Sequence, residues 1–149
     1  MPTFADTLAM RLRAAYLRMH RAANATFAER GATADQFALL SVVAEEDGLS
    51  QREIAGRIFT DANTVAAMLA LLERRGWIRR RAGAADGRVR GVRLTAAGRK
   101  LHAELVAHSE AYHRRLESLV PENRRAALAE DLRSIAALAV PSPSPGASP

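Results

Sequence analysis

The chain has 149 residues, 48% of them hydrophobic and 26% charged, which is ordinary for a globular protein with room for one substantial core. It carries a net charge of +6, nearly all of it arginine, since Lys100 is the only lysine. It has no cysteine, which excludes disulfides, thiol redox chemistry and thiolate-bound zinc. No apolar run reaches the length of a membrane span and no secretory signal pattern opens the chain, so the expectation is a soluble, cytoplasmic protein.

In chain order, Phe4 to about Arg30 is predicted as a helix. Phe4, Leu8, Leu12, Ala15, Met19, Ala22 and Thr26 recur every three or four residues, and Tyr16, Ala23 and Phe27 widen the stripe. Gly31 marks a C-terminal stop. Thr33 and Gln36 have capping-box spacing, and the helix they open carries Phe37, Leu40, Val43 and Ala44 on one face before the solvated end Glu45-Glu46-Asp47. Ser50 and Glu53 form a second box, opening a short helix with Ile54, Ala55 and Ile58 inward. Thr60-Asp61 caps a third helix of this group, with Val65, Met68, Leu69 and Leu72 inward and an end near Gly76.

Trp77-Ile78 then begins a strand, and Val89 to Leu94 alternates apolar and polar residues as a second strand would. Asp86-Gly87 supplies the turn between them. From Arg74 to Lys100 there are ten basic residues and one acid, Asp86, which suits a polyanion. Two short helices joined by a tight turn and followed by a basic hairpin form the pattern of a winged helix-turn-helix. Thr95 caps a long helix through about Ser118, with Leu101, Leu105, Tyr112, Leu116 and Leu119 inward. Pro121 sits where the first turn of a last helix tolerates it, and Leu128, Leu132, Ile135 and Leu138 give that helix a stripe.

The predicted fold class is mainly α with a small β-hairpin wing. Residues 1–32 form an N-terminal dimerisation helix, 33–98 the winged helix-turn-helix, 99–140 C-terminal dimerisation helices, and 141–149 a disordered tail without apolar side chains to pack. The outer helices carry more apolar surface than the central domain can cover, which predicts a homodimer. Two recognition helices on a two-fold axis suit a palindromic duplex.

The segments TADQFALLSVVAEEDGLSQREIAGRI and DANTVAAMLALLERRGWIRR, then Asp86-x-Arg88 followed by Val92-x-Leu94-Thr95-x-x-Gly98, resemble the MarR family of bacterial transcriptional regulators. The resemblance is strong from Thr33 to Lys100; outside that range it rests on helix order and amphipathic pattern. It implies an obligate dimer with interdigitated terminal helices, binding of double-stranded operator DNA, and a cleft for a small aromatic or phenolic acid whose binding lowers DNA affinity. It also implies that Arg88 enters the minor groove from the wing tip with Asp86 orienting it.

Physically, a narrow groove concentrates negative potential and attracts a guanidinium. Arg90 joins Arg88 in anchoring the wing. Asn63 and Thr64, in the first turn of the helix capped by Asp61, are placed to reach base edges. Ser50 and Gln51 either contact phosphate or serve as a helix cap, and both can hold together.

Two departures from the family pattern stand beside these residues. The recognition face carries Ala66, Ala67, Ala70 and Leu71 where many members have hydrogen-bonding side chains. It follows either that Asn63, Thr64 and DNA shape carry specificity, or that the chain is a dimeric small-molecule-binding protein of the same fold with weak or non-specific DNA binding. Phe59 stands where many relatives have glycine, and is expected to plug the turn against the core. Tyr16 and His20 are candidates for a ligand cleft. Glu104 and His108 have metal-sharing spacing but no third ligand nearby in sequence, so neither a metal site nor a cofactor is predicted. No phosphate loop, nucleophile elbow or carboxylate pair points to an enzyme.

Overall fold

A computed structural model describes residues 1, 3–81 and 91–138. The expected Asp86-Gly87 turn, Arg88, Val89, Arg90 and the tail 141–149 lie outside the described residues. The chain divides into two compact units, residues 1–112 and 113–149. In order, the elements are a 3-10 turn (Phe4–Asp6), α1 (Leu8–Ala28), α2 (Ala34–Glu45), α3 (Gln51–Arg57), α4 (Ala62–Arg74), β1 (Ile78–Arg81), β2 (Gly91–Leu94), α5 (Ala96–Ser118) and α6 (Glu122–Ala136).

The first helix starts later than its apolar period suggests. Thr7 is extended (φ −65°, ψ 147°) and its hydroxyl accepts from the Met10 amide at 3.4 Å, so α1 begins at Leu8. The preceding turn is closed separately by Thr3 and Asp6, whose carboxylate accepts from the Thr3 amide at 3.1 Å. A hydroxyl that satisfies orphan amides resets the helix start whatever the apolar pattern says.

α2 and α3 open as expected. Gln36 Oε1 accepts from the Thr33 amide and Thr33 Oγ1 from the Gln36 amide, both at 3.1 Å. This bonding lets Gln36 sit buried. The core-facing side of α2 is shifted from the expected one: Leu39, Leu40 and Val43 are fully buried, Phe37 packs half-buried beside them, and Ala44 is exposed. Leu39 displaces Ala44 because the larger side chain gains more by burial.

The core of the first unit gathers Phe27, Leu39, Leu40, Val43, Leu49, Ile54, Val65, Leu69, Leu72, Ile78, Val92, Leu94 and Leu105. Met68, Ile58 and Leu101 pack against it half-buried. β1 and β2 pair antiparallel, with Ile78 opposite Leu94 and Arg80 opposite Val92. Leu49 adds a short antiparallel bridge to Val92, with Gly48 N–H donating to Val92 O at 3.0 Å and Val92 N–H to Leu49 O at 2.9 Å. The described part of the second strand begins at Gly91, two residues after the expected Val89.

Phe59 does not plug the turn. It is 82% exposed and has φ +58°, the only positive φ on a non-glycine residue among those described. Thr60 N–H donates to Ala55 O at 3.0 Å, which closes α3 in the manner of a Schellman turn and places Phe59 in the left-handed position that glycine usually fills. Phe59→Gly should therefore stabilise the protein by about 1 kcal/mol, raising the thermal midpoint by about 3–5 °C. An unchanged or lower midpoint in a calorimetric scan would show that the ring is packed after all.

In the second unit Pro121 takes the N-cap position of α6, with ψ 138°, so the helix opens one residue beyond it. No residue of α6 is buried: Leu128, Leu132, Ile135 and Leu138 all lie exposed on it or just past its end. Leu119, expected to face inward from the long helix, lies beyond Ser118 and is also exposed; Tyr112 and Leu116 are half-buried. Among the described residues, no helix is long and apolar enough to cross a membrane.

Candidate nucleic-acid interface

α3, α4 and the hairpin are locked together by side-chain bonds at their exposed edges. Gln51 Nε2 donates to Ala62 O at 2.9 Å, joining the first residue of α3 to the first of α4. Arg80 donates through Nε and Nη2 to one oxygen of Glu73, at 3.0 and 2.8 Å, fastening β1 to the end of α4. Arg93 reaches Asp47 at 3.4 Å, fastening β2 to the turn after α2. These long-range links have no signal in the sequence.

The α4 N-terminus is capped tightly. Asp61 Oδ1 accepts from the Thr64 amide and Oδ2 from the Thr64 hydroxyl, both at 2.8 Å. The backbone bond from Thr64 is the main reason that the Asp61 pKa lies below its ordinary value, with the hydroxyl bond second. Asp61 is thus committed as a charged cap. Thr64 has given its only hydroxyl proton to Asp61, so toward a ligand its oxygen can act only as an acceptor.

Asn63 is exposed beside it, with no side-chain hydrogen bond among the described residues. The outward strip continues through exposed Ala67 to exposed Arg74, with Ala66, Ala70 and Leu71 half-buried. Asn63 and Arg74 are therefore the side-chain hydrogen-bond donors along this face without a partner among the described residues.

Ser50 caps α3. Its hydroxyl accepts from the Glu53 amide at 3.2 Å, and Glu53 Oε2 accepts from the Ser50 amide at 2.7 Å. The backbone bond from Ser50 lowers the Glu53 pKa. Ser50 and Gln51 share a cleft with Arg52, Leu69, Arg80 and Val92. The structure thus brings Ser50, Gln51, Asp61, Asn63 and Thr64 to one edge, while Asp86, Arg88 and Arg90 lie outside the described residues.

Tyr16 and His20 stack one turn apart on α1, with ring centroids 5.3 Å apart, and His20 Nδ1 lies 4.0 Å from Asp35. A more enclosed aromatic cluster lies nearby in the fold: Phe27 against Phe37 at 4.5 Å, and Phe37 against His102 at 5.9 Å. Ser41 Oγ donates to Phe37 O at 2.8 Å and lies 3.1 Å from His102 Nε2. With its proton already committed, Ser41 must accept from His102, so the Nε2 atom carries the hydrogen. Burial lowers the His102 pKa, and the charge of Glu45 opposes that shift. Phe37 was legible as a core residue, but no local pattern joins it to His102.

Glu104 pairs with Arg30 at 3.5 Å and His108 with Glu29 at 3.3 Å, so each has a protein partner. Among the described residues no three His, Asp or Glu side chains gather as a metal site would require.

Residues 30–89 match the model of the MarR family. Over those residues the chain is similar to the MarR family. It is 36% identical over 85 residues to the HTH-type transcriptional regulator TtmR of Methylorubrum extorquens, a match covering 57% of this chain and 44% of that one. The chain thus spans about half the length of the curated relatives it matches.

Among solved structures, the transcriptional repressor CouR bound to a 23-mer DNA duplex superposes with a TM-score of 0.81 at 29% identity, covering 89% of this chain and 94% of that one. BpsR of Bordetella bronchiseptica gives 0.85 at 24% identity over 93% and 99%, a likeness of fold. TtmR is a transcriptional regulator and CouR a transcriptional repressor.

Proposed function

We propose that this chain is a transcriptional repressor that binds a palindromic operator as a homodimer and releases it when a small ligand binds. The observation that carries the reading is the edge formed by the α3 and α4 N-termini, held in register by Gln51 and Ala62, beside an arginine-rich hairpin. A helix entering the major groove end-on presents its first-turn side chains to the bases. Asn63 is the base reader, with Thr64 as an acceptor. Ser50 and Gln51 meet phosphate, Asp61 holds the turn, and Arg88 and Arg90 anchor the wing with Asp86 orienting Arg88. Residues 1–32 and 99–140 supply the dimer contacts.

CouR has been seen on DNA and with p-coumaroyl-CoA, and the mechanism solved for BpsR concerns 6-hydroxynicotinic acid. By analogy, an aromatic acid or its thioester is the class of effector assigned to the region around Tyr16 and His20.

Arg88→Ala should weaken binding to a duplex recovered by selection from genomic fragments, and lower the slope of log affinity against log salt by about one unit. A salt-titrated anisotropy assay reads both. Affinity and slope identical to the parent would remove the wing from the interface.

A second reading is favoured by the apolar face of α4. Ala67 and the half-buried Ala66, Ala70 and Leu71 donate no hydrogen bond and can offer only methyl contacts to thymine. A dimeric small-molecule-binding protein that reads DNA weakly would have such a face. The same genomic selection separates the two: sharp palindromic enrichment supports the repressor, and uniform coverage supports the alternative.

A further inference from the structure

The arginines of the hairpin divide between its two faces. Strand alternation places Ile78, Arg80, Val92 and Leu94 inward, with Arg80 on Glu73 of α4. Arg79, Arg81 and Arg93 point to the opposite face, away from the recognition helix. There they meet Arg99 and the start of α5, lining with Leu94, Thr95 and Ala96 a cleft of about 320 Å³. Arg79 stands directly opposite Arg93 in the register.

Like charges opposed across an antiparallel pair repel. Arg93 has Asp47 as a partner, but Arg79, Arg81 and Arg99 have no carboxylate partner among the described residues. The positive end of the 23-residue helix α5 adds to the same field. Four guanidinium groups are thus gathered at a concavity whose only carboxylate partner among the described residues is Asp47, and a bound anion would relieve their repulsion.

We propose that this cleft on the back of the hairpin binds the phosphate groups of a small phosphorylated molecule, a diphosphate or a phosphate monoester. A single carboxylate would leave most of the positive charge unbalanced. A group with two or more negative charges and several acceptor oxygens matches both the charge and the forked donors. The position away from α4 favours a free ligand over the duplex that α4 is proposed to read. The anion site stands whether or not that DNA reading does.

The test is calorimetric titration of the full chain with inorganic pyrophosphate, at ionic strength held constant with potassium chloride. Saturable binding is expected, weakened about tenfold or more in Arg79→Gln/Arg99→Gln and unchanged in Arg13→Gln, which removes an exposed arginine elsewhere. Arg81→Gln serves as the second variant if the double one melts early. Absence of saturable binding by the parent protein, or equal binding by parent and variants, overturns the site. If pyrophosphate fails to bind while the double variant loses DNA affinity and about two units of salt slope, the cleft holds duplex backbone and the small-ligand assignment is overturned. If pyrophosphate binds as expected while the parent ignores DNA, the anion site survives and the repressor reading falls.

Discussion

Gly98→Ala should destabilise the protein by about 3 kcal/mol or more, enough to remove a large share of the stability of a domain this size. A Cβ built at Gly98 would lie 1.8 Å from Trp77 O, 2.8 Å from Trp77 C and 3.2 Å from Trp77 Cα. All three are backbone atoms, so no rotamer change relieves the overlap. The Trp77 backbone cannot retreat cheaply either. Its amide donates to Leu72 O at 3.0 Å, and its carbonyl accepts from the Thr95 amide at 3.1 Å.

Thr95 ties the same junction, donating its hydroxyl to Gly76 O at 2.5 Å and accepting from the Gly98 amide at 3.0 Å. The methyl group would wedge apart the point where α4, β1 and α5 meet. In a thermal scan followed by circular dichroism the midpoint should fall by about 10 °C. Gly56→Ala is the matched control: nothing lies within 4 Å of its Cβ, and in α3 alanine should be neutral or stabilising. A Gly98→Ala midpoint within 2 °C of the parent, as a rough bound, would mean that the α5–hairpin junction can open without loss.

Gly98 also shows where sequence reading stops. Its place in the Asp86-x-Arg88 to Gly98 pattern was legible, but its reason was not, because the neighbour that excludes a side chain is 21 positions away in the chain. The capping pairs Thr33 with Gln36, Ser50 with Glu53, and Asp61 with Thr64 were legible or nearly so because both partners lie within one turn. Local chemistry also hid features from the apolar period. Thr7 resets the start of α1, and Phe59 accepts a left-handed backbone that its residue type disfavours.

The candidate interface divides the same way. Asn63 and Thr64 could be placed from their cap, but the commitment of the Thr64 proton to Asp61 depends on a rotamer. Arginine density marked the hairpin as an anion-binding element. Sorting Arg80 inward from Arg79, Arg81 and Arg93 required the register between β1 and β2, which a loop sequence does not determine by itself.

The other large effect should come from the second unit. α6 has 15 residues and none is buried, although Leu128, Leu132 and Ile135 recur at helical spacing. An isolated helix of this length is marginal in water, and most helical stability in proteins comes from packing of an apolar face. The face therefore requires a cover, and in the repressor reading that cover is a second copy of the chain. The exposed Phe4, Leu8, Tyr16 and Met19 of α1 and its preceding turn add apolar surface of the same kind.

Leu128→Asp/Leu132→Asp places two charges on the stripe without touching any buried residue of the first unit. Light scattering should give the parent about twice the 16.1 kDa chain mass and the variant a single chain mass. Because one recognition helix would then bind a half-site without its tethered partner, affinity for a palindromic duplex should fall by about 100-fold or more, with the first unit still folded. A parent protein that runs as a single chain at micromolar concentration would leave the stripe to another partner, and two-fold reading of an operator would lose its structural basis.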